Sequence, residues 1–454
     1  MKDILSEKTY SVAMISLGCP KNEVDAEVLL ASLKKEGMTL TADPMLADAV
    51  VVNTCGFIES AKQESIDQIL ECCEMKNEGG RLRCVAVTGC LAERYQKEMA
   101  EELPEVDVCL GLGSYDKLAV SIRRSLEENE KVYSFGCKTD LALEGDRILS
   151  TFGFAYLKIA EGCDNRCSYC AIPDIRGPFR SRNIESLVAE AKVLADQGIR
   201  ELVLVAQDVT RFGEDWNGGV SALPELLDAL QQVEGIFWIR LLYCYPERIT
   251  DRLIAAMKRN SKVVHYIDLP IQHAADRILK RMNRRSDEKS LREVVGKLRQ
   301  EMPDVVLRTT LIAGFPGESR EEFERLLHFV EEMRFERLGC FAYSAEEGTP
   351  AAKMPDQIDE QEKVRRAELV MEKQTEIMMD RNEQLIGNEY LVMSEGYDRA
   401  AECHSGRSYM DAPDIDGKIF FTAEKKIPAG TFVRVKIVDV LDVDLIGEMV
   451  EVAV

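Results

Sequence analysis

The densest chemistry in the sequence lies in ten residues, E-G-C-D-N-R-C-S-Y-C, which set Cys163, Cys167 and Cys170 in a C-x3-C-x2-C arrangement. Three thiolates so close together can hold three irons of a cubane [4Fe-4S] cluster and leave the fourth iron open. An open iron can chelate the amino and carboxylate groups of S-adenosylmethionine. One electron from the reduced cluster then breaks a sulfonium carbon-sulfur bond and yields a 5'-deoxyadenosyl radical, with the protein left to position and shield it. A structural zinc ion is the alternative occupant, but it takes four ligands, often as paired C-x2-C knuckles, and no matching fourth cysteine or histidine lies nearby.

A second trio is scattered. Of the seven cysteines in the first 110 residues, Cys19 ends I-S-L-G-C-P, Cys55 ends V-V-N-T-C-G and Cys90 ends V-A-V-T-G-C. Each follows an apolar run of strand length and precedes a helical pattern. In a parallel α/β sheet such turns line one edge, where ligands bind and helix N-termini favour thiolates. Three unrelated core thiols near loops is the alternative. Cys72, Cys73, Cys84 and Cys109 fall inside helical or strand patterns and read as buried apolar residues.

The elements that must position these residues fall into three zones. From Ser11 to about Leu118, the runs V-A-M-I-S-L, D-A-V-V-V-N, R-C-V-A-V-T and V-D-V-C-L-G-L alternate with amphipathic segments, the pattern of a doubly wound parallel α/β domain. This domain is expected over residues 9–126, and the polar stretch from about Glu127 to Ser150 reads as a linker. Six further strand candidates begin near Ala155, Glu201, Phe237, Val263, Val305 and Arg337, a partial (βα)6 barrel over residues 150–382 with its chemistry at the C-terminal strand ends. A charged helical segment from about Asp356 to Leu385 closes it. Residues 383–454 alternate β-branched positions, as in F-V-R-V-K-I-V-D-V, with turns, and predict a small all-β, OB-like barrel.

At 454 residues, two or three domains are expected. No apolar run is long enough to span a membrane and the first ten residues lack the apolar core of a leader, so a soluble, cytoplasmic chain is expected. Its fourteen cysteines then read as reduced thiols or metal ligands rather than disulfides. The formal charge of -22 disfavours RNA and favours a basic protein partner, unless a local basic patch overrides it. His265, His273, His328 and His404 show no ligand spacing.

The C-x3-C-x2-C loop resembles the signature of the radical S-adenosylmethionine superfamily. In addition S-L-G-C-P-K-N, V-N-T-C-G-F-I and T-G-C-L-A-E-R-Y look like the amino-terminal motifs of its methylthiotransferase family, whose carboxyl-terminal barrel is a TRAM domain. The resemblance covers nearly the whole chain. It implies a second [4Fe-4S] cluster on Cys19, Cys55 and Cys90 whose free iron carries the sulfur. It also implies two uses of S-adenosylmethionine, one as methyl donor and one as radical source, and hence no acid-base dyad. Tyr169 would pack near the adenine. On the barrel reading, Gln207, Gly314 and Glu318 lie at the ends of predicted strands and would face the cofactor, although Gly314 is equally explained as a turn former, and Arg308 either supports the cofactor or merely satisfies backbone groups.

Two branches of that family differ in substrate. One modifies a tRNA adenosine beside the anticodon, the other an aspartate of small-subunit ribosomal protein twelve. The run C-S-Y-C-A-I-P-D-I-R-G-P-F-R-S-R, with C-P-K-N-E-V-D and C-G-F-I-E-S-A-K, looks like the ribosomal-protein branch. From Glu383 onward, 14 acidic residues face 7 basic ones, a net -7 that suits a basic ribosomal protein or the ribosome better than RNA. Arg176, Arg180 and Arg182 point to tRNA if they form a phosphate patch, and otherwise clamp a carboxylate or pair with local acids. An external electron donor and a sulfur source are implied as further partners. The alternative of another class is an iron-sulfur electron carrier or ribosome-binding protein, but such carriers surround each cluster with four protein ligands and both trios here are one short.

Overall fold

The structure is a computed structural model that describes residues 8–453; residues 1–7, part of the opening segment read as lacking a leader, and Val454 lie outside the described residues. Six parallel strands form the first sheet: β1 (Ser11–Ser16), β2 (Thr39–Leu40), β3 (Ala49–Thr54), β4 (Cys84–Gly89), β5 (Val108–Leu110) and β6 (Val132–Ser134), in the order β2-β1-β3-β4-β5-β6. β3 and β4 are buried along their whole length, which explains their unbroken apolar, β-branched sequences. On one face Val50, Val52, Val85 and Val87 meet Ile69, Cys72, Leu91 and Met99 of the helices. On the other, Val51, Ala86 and Val108 meet Leu29, Leu33, Leu118 and Ile122. The chain reverses direction across the sheet between β1 and β3, the switch point at which doubly wound sheets bind ligands. β2 spans two residues, too short to leave a periodic signal, and β6 lies inside the stretch expected to be linker.

The second sheet is an open half-barrel. Its strands are β7 (Phe154–Lys158), β10 (Glu201–Val205), β11 (Trp238–Leu241), β12 (Val263–Asp268), β13 (Val306–Ala313) and β14 (Arg337–Ala342), all parallel and side by side in chain order. Between β7 and β10, the two-residue strands β8 (Ala160–Glu161) and β9 (Arg180–Ser181) pair antiparallel and close the base of the three-cysteine loop. Leu157, Leu204, Leu241, Ile267 and Leu307 face outward onto the helices, with Val370 and Ile377 of the helix Glu360–Glu383 covering one flank.

The last five strands, β15 (Glu389–Asp398), β16 (Cys403–Arg407), β17 (Ile419–Thr422), β18 (Phe432–Leu441) and β19 (Asp444–Val452), close into a barrel. This barrel plugs the half-barrel at the N-terminal strand ends, where Phe154 and Trp238 pack with Met393, Met410 and Phe432. Buried charges tie the two together. Glu201 is paired with Arg240 at 2.7 Å and with Arg407 at 3.0 Å. From the β16–β17 loop, Asp411 pairs with Arg337 at 2.6 Å, and Asp416 accepts the Tyr266 hydroxyl at 2.6 Å. Among the described residues no helix is long and apolar enough to cross a membrane.

Candidate cluster and cofactor sites

Sheet register delivers the scattered trio to one place. Thr54 of β3 pairs with Gly89 of β4, so Cys55 and Cys90 leave the sheet side by side. Cys19 arrives from the adjacent β1 and caps the helix Pro20–Lys35. Asn22 fastens that turn by donating to Leu17 O at 2.7 Å and Thr54 O at 3.0 Å. Gly18 sits at φ +96°, and a Cβ there would lie 2.8 Å from Cys55 Cβ and 3.0 Å from its Sγ. Only glycine lets the Cys19 turn close so tightly over Cys55. Burial and the nearby Cys90 and Cys19 push the Cys55 thiol up to about 12, and burial raises Cys90 as well.

The contiguous trio sits beyond the C-terminal end of β7. Cys163 N donates to Gly177 O at 3.1 Å and Ser168 N to Met282 O at 3.0 Å, anchoring the loop at both ends. Asn165 N approaches Cys163 Sγ at 3.5 Å, and the Tyr245 hydroxyl lies 3.5 Å from Cys167 Sγ. Burial pushes the Cys163 thiol up to about 11, with the charges of Asp208 and Cys167 adding to it, and raises Cys170 further, with Cys167 and Cys163 adding there. Thiols so raised would ionise on binding a cation such as iron. Among the described residues no three His, Cys, Asp or Glu side chains sit close enough to share a single metal ion. A cubane takes each thiolate on a different iron, and two sets of three sulfur donors fit that demand.

Between the trios lies a buried charge network that the sequence reading missed. Arg176, read as a phosphate or carboxylate clamp or a structural arginine, pairs with Asp25 at 2.7 Å and Glu161 at 3.0 Å. It also donates to Asn22 Oδ1 at 2.9 Å and to Cys90 Sγ at 3.3 Å. Lys158 pairs with both Asp25 and Glu161. Burial pushes the Glu161 carboxyl up, but the Arg176 guanidinium and Lys158 ammonium reverse this and hold it well below the usual carboxylate range. Arg182 is taken by Glu190, and Arg180 donates to Thr139 O, Leu141 O and Lys138 O. All three arginines are thus engaged by the protein itself, and the structural alternative describes them better than a phosphate patch.

The expected cofactor contacts divide. Tyr169 packs on the cluster of Ala275, Ile278, Met282, Phe315, Tyr343 and Ala351, beside the cysteine loop. Gln207 Nε2 donates to Glu161 Oε1 at 3.0 Å, and its own buried Oε1 has no partner among the described residues. Gly314, at φ +75°, donates its N–H to Glu318 Oε2 at 2.9 Å. Arg308 and Glu318 are placed differently from expectation. Arg308 pairs with Asp268 at 3.0 Å and Asp416 at 3.6 Å, and Glu318 Oε1 is held by Arg366 at 2.7 Å. Their charges stabilise domain packing and the loop after β13. Arg284 was not singled out from the sequence, for it lies in the charge-rich run K-R-M-N-R-R-S-D. It is 6% exposed, its guanidinium lies 4.1 Å from the Tyr245 ring centroid, and its Nε and Nη1 have no acceptor among the described residues. Buried donors without acceptors are costly. The amino-acid carboxylate of S-adenosylmethionine is the kind of group that Arg284, next to Tyr169 and Cys167, is fitted to take.

Comparison with known proteins agrees with this architecture. Residues 11–111 match the family described as uncharacterized protein family UPF0004, residues 157–330 the radical SAM superfamily and residues 386–450 the TRAM domain. The chain is 51% identical over 98% of its length to the ribosomal protein uS12 methylthiotransferase RimO of Geobacter sulfurreducens, covering 100% of that protein. It is 48% identical over 97% of its length to the protein of the same name from Acetivibrio thermocellus, covering 98% of it. Among solved structures, the radical S-adenosylmethionine methyltransferase TsrM of Kitasatospora setae aligns with a TM-score of 0.55 at 14% identity, over 76% of this chain and 77% of that one, a likeness of fold alone. Sheet topology, cysteine trios and near full-length similarity together place this chain in the RimO family of radical S-adenosylmethionine methylthiotransferases, which use S-adenosylmethionine and two [4Fe-4S] clusters.

Proposed function

We propose that this chain replaces a hydrogen on the β-carbon of an aspartate in ribosomal protein uS12 with a methylthio group, in the cytoplasm, drawing electrons and sulfur from outside partners. The observation that carries this reading is the convergence of two cysteine trios on one interface, Cys19, Cys55 and Cys90 on one side and Cys163, Cys167 and Cys170 on the other, bridged by Arg176 and Glu161. When bound, the clusters and S-adenosylmethionine supply the one-electron chemistry that opens an unactivated carbon-hydrogen bond and the sulfur that replaces it.

The chain's own residues do the rest. Arg284 and Gln207 offer a charged donor and an unpartnered acceptor for the cofactor's polar end, and Tyr169 an aromatic edge for its base. The Asp25, Lys158, Glu161 and Arg176 network fixes the distance between the trios, because Lys158 and Arg176 both bond across the interface to Asp25 while Glu161 holds the two cations together. Glu346 adds a second clasp by pairing with Arg94 at 2.8 Å and Lys62 at 3.2 Å. A basic ribosomal protein suits the acidic carboxyl-terminal barrel, whose surface stays acidic even though Asp411 and Asp416 turn inward toward Arg337 and Tyr266. The deciding experiment deletes the gene in its host and measures the masses of uS12 and of tRNA. Loss of a methylthio group from uS12 alone supports the proposal, and loss from tRNA alone overturns it.

A further inference from the structure

Among the described residues, one cation at the interface between the trios has no acid paired with it. Lys21, two residues after Cys19, is 7% exposed, and its ammonium lies 3.5 Å from the centroid of the Tyr243 ring. Its charged and polar neighbours are the Tyr243 phenol, the Cys19 thiol and the Arg176 guanidinium. Every other buried cation of this interface has a carboxylate: Lys158 and Arg176 share Asp25 and Glu161, Arg147 has Glu27 and Glu190, and Arg94 and Lys62 share Glu346. Burying an ammonium without a counter-charge is expensive, and an aromatic face offsets only part of that cost.

The surroundings place Lys21 where the substrate has to come. Tyr243 is held at φ +59°, a strained conformation for an aromatic residue, with its N–H donated to Asp268 Oδ2 at 3.0 Å. Two residues on, the Tyr245 hydroxyl lies 3.5 Å from Cys167 Sγ. One short loop after β11 therefore touches Lys21 beside the first trio and Cys167 in the second. A carbon that must meet both trios has to lie along that loop.

We infer that the Lys21 ammonium, braced on the Tyr243 ring, binds the side-chain carboxylate of the substrate aspartate, presents its β-carbon between the trios and selects aspartate over a neutral side chain. This rests on the proposed methylthiolation of uS12. The carboxylate itself is unchanged in the reaction, so Lys21 moves no proton and serves as a substrate-binding residue.

The test uses the full-length, anaerobically reconstituted protein as wild type, Lys21→Met, Lys21→Gln and Lys21→Arg. The probes are recombinant uS12 and uS12 whose target aspartate is changed to asparagine. Binding affinity is measured alongside methylthio product, iron content and 5'-deoxyadenosine formed without uS12. Losing one charged hydrogen bond corresponds to about tenfold or more in affinity. Lys21→Met and Lys21→Gln are expected to keep both clusters and the uncoupled 5'-deoxyadenosine, to bind uS12 about tenfold or more weakly, and to lose the wild-type preference for aspartate over asparagine. Lys21→Arg is expected to retain part of that preference. Undiminished preference in the neutral variants overturns the inference, as does an altered cluster spectrum with preference intact, which would assign Lys21 to the cluster instead. Wild-type protein that leaves uS12 unmodified but makes 5'-deoxyadenosine overturns the substrate reading, and the inference with it.

Discussion

Replacing Arg176 with methionine is the sharpest way to test whether the interface network holds the two trios in place. In the native protein two buried carboxylates, Asp25 and Glu161, are balanced by two buried cations, Lys158 and Arg176, with every side chain of the four at most 3% exposed. Methionine keeps an unbranched apolar stem but no guanidinium, and leaves both carboxylates to Lys158, a surplus of one buried negative charge. Removing one partner from a buried pair costs about 3–5 kcal/mol, which corresponds to an interface that opens between about 10² and about 5 × 10³ times more often. Hydrogen exchange on reconstituted protein reads this directly at the amides of the helix Pro20–Lys35, which carries Asn22 and Asp25. Protection is expected to fall there while the outer helices of the half-barrel keep theirs. Adding Glu161→Gln to Arg176→Met removes the surplus charge and is expected to restore part of the protection, a sign that simple loss of packing would not give. Unchanged exchange in Arg176→Met, or a double variant worse than the sum of the two single ones, would refute the reasoning.

Other predictions concern the trios and the plug. Cys19→Ala, Cys55→Ala and Cys90→Ala are each expected to lose about half of the reconstituted iron and to keep 5'-deoxyadenosine formation, measured by iron analysis and chromatography; full iron content would contradict the second cluster. Gly162→Ala would put a Cβ 2.1 Å from Pro178 O at φ +76°. It is expected to abolish 5'-deoxyadenosine formation while leaving the Cys19, Cys55 and Cys90 cluster spectroscopically intact. Arg407→Met strands Glu201 with Arg240 alone and frees Glu395; limited proteolysis is expected to cut between the helix Glu360–Glu383 and β15 several-fold faster than in wild type. Glu201 is raised by burial but lowered further by Arg240 and Arg407, so its folded value lies below the unfolded one. Its contribution to docking the plug is therefore full above about pH 4.3 and falls as pH drops below that, which acid titration of the apo-protein by proteolysis checks; Glu201→Gln should flatten that dependence.

Much of this was legible in the residues. The unbroken β-branched runs of β3 and β4 announced buried parallel strands, and C-x3-C-x2-C announced its own chemistry, because ligands close in sequence need no fold to bring them together. The second trio was readable only through the rule that parallel strands end on one edge; the Thr54–Gly89 register sets Cys55 and Cys90 side by side there. What stayed hidden is long-range pairing. Asp25 and Glu161 are 136 positions apart, and neither has a local pattern that marks it as Arg176's partner. The one available hint was polarity on the wrong face. Lys21, Asn22, Asp25 and Glu27 are all buried in a helix whose apolar positions alone predict a conventional packed stripe. The β16–β17 loop, rich in aspartate and turn residues, reads as a solvent loop, yet it enters the half-barrel because Arg337, Arg308 and the Tyr156 and Tyr266 hydroxyls await it there.

The most direct measurement titrates S-adenosylmethionine into the anaerobically reconstituted, reduced protein and follows both clusters by electron paramagnetic resonance and Mössbauer spectroscopy. The expected result is that one iron of the Cys163, Cys167 and Cys170 cluster changes its ligand environment on adding S-adenosylmethionine, and that this change persists in Cys90→Ala and vanishes in Cys163→Ala. Two clusters that both ignore S-adenosylmethionine, each with four protein ligands, would contradict the whole reading of the site.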